Sequence, residues 1–297
     1  MLHPMLDLPF QPITWGGEPH DFTEQTAGGI HGLNLGVYTT EATQRYILGT
    51  RCLTWDGRAF RYAKCGNTFT STTCGLKNMT ILISGRVAGG TIPASAPATA
   101  VVGVTQVTVT FTAAKIGDST SENDAERTGV VAKDELIGGY IHLQTIPVAG
   151  TEYGMNRLIV GNSAVAVGDE SMILYLDAPL NYALTGGTST CEILASPYAN
   201  VERDNNTYAS VVGMPNVPAT ATYYLWLQTW GVLRITPTTD TPALDRRQFV
   251  FDNQGAVIGS TNDTTTKAYQ HAGFLIEATP EAVAYWHSPF IMLQISP

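Results

Sequence analysis

Charge is what this sequence has least of. Asp, Glu, Lys and Arg together make up 14% of the 297 residues, against roughly 25% in ordinary soluble domains. The net charge is −9 and no cluster of Lys or Arg stands out, so the electrostatic footprint of a nucleic-acid or anionic-membrane binder is missing. No apolar run approaches the roughly 20 residues of a membrane-spanning helix. Met1 to Phe10 has neither a basic start nor a continuous apolar stretch. It reads as no signal peptide, which points to synthesis in a reducing cytoplasm. Cys52, Cys65, Cys74 and Cys191 form no CxxC pair, and no His follows them at zinc-finger spacing. They read as buried free thiols, with a Cys65–Cys74 bridge left open.

The signatures of common chemistries are also lacking. There is no Walker A sequence, no GxGxxG, and no HExxH or HxH spacing among His3, His20, His31, His142, His271 and His287. Gly161-Asn-Ser163-Ala-Val165 fails the Gly-x-Ser-x-Gly pattern at its last position. Gly117-Asp118-Ser119 is similar to the start of a GDS-type esterase block. Thr120 stands where that family has Leu, and Asp263 and His271 are wrongly spaced to complete a triad, so it reads as a polar turn. Gly117 to Arg127 is acidic but lacks EF-hand spacing and reads as an exposed loop. No catalytic residue, metal ligand or cofactor-binding residue is assigned, and the chain is expected to be neither an enzyme nor a cofactor carrier.

What remains is Thr, Ser, Asn, Gln, Gly and Pro around a 44% hydrophobic content, which suits short strands joined by turns over a sizeable core. Residues 1–45 carry Pro4, Pro9, Pro12 and Pro19 without sustained periodicity. They read as an extended arm, and Phe10, Ile13, Trp15 and Phe22 are the apolar groups with which it would lie on a partner. Asp56-Gly57 predicts a two-residue type I′ hairpin turn. That register sets Trp55 opposite Arg58, Leu53 opposite Phe60 and Arg51 opposite Tyr62. Alternation predicts further strands at 102–111, 140–146, 158–160, 171–176, 190–194, 221–235, 248–251, 256–258, 273–277 and 290–295. Helical periods are brief, at Thr40 to Leu48 and Lys133 to Leu136. The expectation is an all-β, sandwich- or barrel-like body with few short helices. Turn-rich sequence after Tyr198 places a boundary near 200, dividing 46–200 from 201–297. Strict alternation puts Tyr224, Trp226 and Trp230 on one face, as core or subunit interface; the other use of such a face is a sugar-stacking platform.

Several short motifs then follow in order. They are Gly49-Thr50 with Asp56-Gly57-Arg58-Ala59-Phe60-Arg61-Tyr62-Ala63, Gly138-Gly139-Tyr140, Ile159-Val160-Gly161-Asn162, Asp177-Ala178-Pro179-Leu180, Tyr224-Leu225-Trp226-Leu227-Gln228-Thr229-Trp230-Gly231 and Leu293-Gln294-Ile295. In this order the chain, from about 45 to 297, resembles the cement (decoration) proteins of tailed-phage capsids. The resemblance implies a virion structural protein that binds the outer capsid surface and stabilises the shell. Its implied partners are the major capsid protein and copies of itself, a dimer or a trimer with the trimer favoured. The other reading is a head-fibre or receptor-binding module that recognises host glycans.

Overall fold

Strand-prone, Thr- and Val-rich segments separated by Gly turns fold here without a helix among the described residues. The computed structural model describes residues 36–54, 56–79, 82–84, 96–111, 130–148, 151–186, 188–203, 209–236, 247–260, 269–277 and 289–297. Its first strands are β1 (Thr40–Glu41), β2 (Arg51–Leu53), β3 (Ala59–Lys64) and β4 (Leu76–Asn78). There follow β5 (Leu82–Ser84), β6 (Ala96–Pro97), β7 (Gln106–Thr110), β8 (Tyr140–Val148), β9 (Thr151–Asn162), β10 (Ser171–Leu176) and β11 (Thr190–Leu194). The last are β12 (Val201–Glu202), β13 (Val211–Pro215), β14 (Tyr224–Arg234), β15 (Gln248–Phe251), β16 (Val257–Gly259), β17 (Gln270–Glu277) and β18 (Phe290–Gln294). The protein is all-β, built from curled antiparallel sheets.

The chain forms two compact units, one of residues 1–78 with 201–297 and one of residues 79–200 inserted into it. The sequence boundary at 200 falls on a crossing between them, but residues 46–78 go with 201–297 and not with 79–200. The cause is long-range pairing: β3 runs antiparallel to β14, with Tyr62 opposite Trp226 and Phe60 opposite Gln228. No local pattern announces such a partner.

In the discontinuous unit the strands follow the order β12-β4-β13-β14-β18-β17-β15-β16, and β3 joins β14 and carries β2. Phe249, Phe251, Val257, Ala272, Ile291 and Leu293 make its buried core, with Leu233 and Leu275 against it. The first described residues belong to this sheet. Val37 is buried, β1 pairs with β14, and the Arg45 backbone N–H donates to Tyr62 Oη at 3.2 Å. Thus 36–45, read as the end of the arm, lie in the body, while Phe10, Ile13, Trp15 and Phe22 lie outside the described residues. The helical period expected over 40–48 gives β1 and turns.

The β2–β3 hairpin forms where Asp56-Gly57 places it, but one residue out of the expected register. Arg51 pairs with Arg61, Cys52 with Phe60 and Leu53 with Ala59. Gly57 N–H donates to Thr54 O and Thr54 N–H to Arg58 O, both at 2.9 Å, with Gly57 at φ +83°. This is a three-residue loop with a glycine bulge in place of a two-residue type I′ turn. Asp56 selects it: its carboxylate accepts from Thr54 Oγ1 at 2.5 Å, from Arg58 N at 3.3 Å and from Arg58 Nε at 2.7 Å. A one-residue slip changes faces, so Cys52 shares the Phe60 face and is buried. Trp55 lies outside the described residues.

In the inserted unit the order is β5-β11-β8-β9-β10-β7-β6. Alternate residues of each strand turn inward, giving a core of Val107, Val109, Ile141, Leu143, Ile159, Leu174 and Ile193 among others. Residues 133–138, where a helical turn was expected, form a hydrogen-bonded turn. There Asp134 adopts φ +62°.

Candidate functional site

Inside the discontinuous unit, the aromatic stretch of β14 is anchored by neighbours. Trp226 is 0% exposed. Its ring centroid lies 5.1 Å from Tyr62 and 5.3 Å from Tyr46, and Tyr46 lies 5.2 Å from Tyr62. Tyr224 stacks on Tyr62 at 5.8 Å with the planes 10° apart. Burial is the main reason the Tyr62 phenol is pushed up to about 12. These ring faces are already used by other rings, and a wholly buried indole offers none to a sugar.

Trp230 does something different. Gln228 pairs with Phe60, but Trp230 pairs with Ala59, so a bulge centred on Thr229 interrupts the ladder. Phe60 and Ala59 point to opposite faces, and the bulge therefore puts Trp226 and Trp230 on opposite faces. The alternation expected from sequence had grouped them. The bulge is held from within the strand: Gln228 Nε2 donates to Val232 O at 3.0 Å and Trp230 O at 3.3 Å. The C-terminal residues close over it, with Ile295 N–H donating to Thr229 O at 2.9 Å and Thr229 Oγ1 to Ser296 O at 2.6 Å.

Beyond the bulge, β14, β18 and β17 present an outer face. Val232 pairs with Met292, which pairs with Phe274; Arg234 pairs with Phe290, which pairs with Glu277. Val232, Phe274, Ile276 and Phe290 are 49%, 43%, 48% and 45% exposed. Neighbouring strands stand about 4.8 Å apart, so these side chains and Met292 form one patch rather than scattered apolar residues. The opposite face of the same strands carries Leu233, Ile291, Leu293 and Leu275, against the core. The three strands are thus apolar on both faces, the pattern of strands made to be covered twice. Sequence reading missed this patch, although the unbroken run Phe290-Ile-Met-Leu293 carried the signal. In the inserted unit Tyr140, Val160 and Tyr175 are exposed as well; Tyr140 pairs with Leu158 and Leu194, next to the His142–Asn156 pair, which shares a 2.7 Å hydrogen bond.

The motifs that carry the family resemblance fall at framework joints. Gly138 N–H donates to Ile159 O, and Ile159 N–H to Gly139 O at 2.8 Å. A Cβ on Gly139 would stand 2.5 Å from Leu194 O. Asn162, wholly buried, accepts from Leu136 N–H at 2.9 Å and donates to Ala132 O and Ser163 O at 2.8 and 2.9 Å. It thereby ties the 132–138 turn to β9. Asp177 accepts from Leu158 N–H at 3.0 Å, and Arg157 reaches Pro179 O at 2.7 Å. In the discontinuous unit, Arg58 packs on Gly231 and donates to Tyr38 Oη at 2.6 Å.

Among the described residues the reactive side-chain types do not converge. Gly117, Asp118 and Ser119 lie outside the described residues, as does Asp263. His271 is on β17, 3.2 Å from Gln294. Among the described residues no three His, Cys, Asp or Glu side chains are placed to hold a metal ion, and no helix is long and apolar enough to cross a membrane. All four cysteines are free and buried. No family model, curated protein or solved structure matches the chain.

Proposed function

We propose that this chain is a cement (decoration) protein of a tailed-phage virion, bound to the outer surface of the capsid and stabilising the shell, with the major capsid protein as its principal partner. The observation that carries the reading is where the resembling residues sit. Gly139, Asn162, Asp177, Arg58 and Gly231 close turns or let two backbones approach. What the chain has in common with that family is therefore a set of residues that shape a body, spread over both units. A second support is the low charge combined with an exposed apolar sheet face, which suits a protein held permanently against neighbours. Many modest contacts repeated over the copies on one shell would supply the strength. The host-glycan alternative loses its best platform, because Trp226 is buried.

The test is cosedimentation of the purified protein with expanded, undecorated capsids at low and high salt. Saturable binding that persists in high salt is expected, since apolar contacts are little screened. The arm is tested by deleting 1–35, which spares Val37 and β1. Binding should be lost while the body stays folded. A soluble, folded protein that never cosediments would overturn the proposal and move it toward host recognition.

A further inference from the structure

We infer that Arg51 and Arg61 form a binding site for an oxyanion, a carboxylate or a phosphate, at the root of the β2–β3 hairpin. The two arginines are direct cross-strand partners. The neighbouring ladder bond joins Tyr62 N–H to Thr50 O at 3.0 Å, so 51 and 61 occupy a non-hydrogen-bonded position. Partners there stand about 4.5 Å apart at Cα, closer than at the hydrogen-bonded positions, and their side chains share one face. Like charges so opposed are destabilising, and arginine does not relieve the repulsion by losing its proton. Burial, with the Arg61 charge beside it, pushes the Arg51 guanidinium down from its ordinary value. An anion held between the two side chains turns one repulsion into two attractions.

No described residue neutralises Arg61. Its Nη1 donates to Gly49 O at 3.1 Å and its Nη2 to Ser296 Oγ at 3.4 Å. Both acceptors are uncharged, and Arg61 makes no ion pair with a described residue. The carboxylates among the described residues of 36–79 are Glu41 and Asp56. Each is taken by another arginine, Glu41 by Arg45 and Asp56 by Arg58. A guanidinium carries five N–H donors, so the two bonds fix the orientation of Arg61 and leave donors for a ligand. Both arginine side chains are half-buried, open to an arriving ion and dry enough to strengthen its contacts. Planar forks match the paired oxygens of carboxylate and phosphate, which favours an oxyanion over a halide. The site needs no capsid. It goes beyond the cement reading and can hold or fail without it.

The full-length chain is tested by thermal unfolding, followed by circular dichroism, in sodium phosphate, sodium acetate or sodium chloride at neutral pH and one ionic strength. Phosphate or acetate should raise the wild-type midpoint above that in chloride by about 2–4 °C, saturating with concentration. A rise in phosphate alone assigns the site to phosphate. A rise that acetate also gives assigns it to carboxylates, such as an acidic side chain of a neighbouring protein. Arg51→Gln is the deciding variant, because Arg61 also holds Gly49 and Ser296. In chloride it should be at least as stable as the wild type, since a repulsion is gone. In the effective oxyanion it should be the less stable of the two, with the salt-specific rise lost. No rise in either oxyanion overturns the inference. So does a rise that Arg51→Gln keeps, which is the general action of an excluded salt. An equal loss of stability in all three salts also overturns it, because the chain would then neutralise the pair itself.

Discussion

Arg58 lies against the bare Cα of Gly231, 173 residues away in sequence: a Cβ on Gly231 would stand 2.7 Å from Arg58 Cγ and 3.0 Å from Arg58 Cα. Gly231 also holds φ +99°, a conformation that side chains rarely adopt. Both effects act against Gly231→Ala, which should cost about 2–4 kcal/mol in urea unfolding followed by tryptophan fluorescence. Shortening Arg58 to Ala should not rescue it, because the close approach of the residue 58 backbone and the positive φ remain. A variant within error of the wild type would show that the hairpin does not press on β14.

Trp226 separates volume from polarity. Its side chain is buried and its Nε1 has no hydrogen-bond partner among the described residues. Trp226→Ala should cost about 3–5 kcal/mol, as large aromatic truncations do. Trp226→Phe leaves a smaller cavity and removes an N–H whose burial is unfavourable, so its loss should be less than half as large. Chemical denaturation of both variants, followed by circular dichroism, checks the ratio. Equal losses would mean that the indole N–H is satisfied in solution.

Some of this was legible in the sequence. Asp252-Asn-Gln-Gly255 marks its turn because both specifications are local: Asp252 Oδ1 accepts from Gln254 and Ala256 N–H at 2.8 Å, and Gly255 takes φ +74°. Asp56-Gly57 marks a turn equally well, yet its loop length depends on which partners the Asp56 carboxylate takes, and dipeptide preference does not carry that. The bulge at Thr229 was legible only through Gly231, since a glycine inside a strand signals irregular backbone without saying which neighbour changes face. The pairing of β3 with β14 joins residues far apart in sequence, and alternation states that a face is buried but not what buries it. The outer patch was legible in part, through the unbroken apolar run from Phe290 to Leu293, but the neighbouring strands that complete it were not.

The thiols should report burial directly. Burial pushes the Cys52 thiol up to about 11. Burial, with the Glu202 charge nearby, pushes Cys65 up to about 12. The reactive species is the thiolate, so an aromatic disulfide reagent at mildly alkaline pH should find neither in the native protein and both after denaturation. The sign for stability follows. A raised folded-state pKa means the unfolded chain releases the proton first, so native stability holds below the ordinary thiol value of 9.0 and falls as pH rises from there toward about 11 and 12. Rapid labelling of Cys52 or Cys65 without unfolding would contradict this placement, and stability that rises over that range would contradict the sign.

The insertion should be removable. The chain leaves the discontinuous unit after Asn78 and re-enters it at Val201, and these two residues are direct antiparallel partners, next to the Lys77–Glu202 pair. Antiparallel partners stand about 5 Å apart at Cα, a gap that a two-residue Asn-Gly turn spans. Each unit also holds its own buried cluster, Phe249, Ile291 and Leu293 in one and Ile141, Leu143 and Ile159 in the other. Replacing 79–200 by Asn-Gly should therefore leave a chain that keeps β-type circular dichroism and unfolds cooperatively, and residues 79–200 expressed alone should do the same. If only the shortened chain folds, the inserted unit depends on its host for order. If neither folds, the two buried clusters are not stable apart, and folding of the whole chain is a single event in which β4 and β12 must be joined through a completed insert.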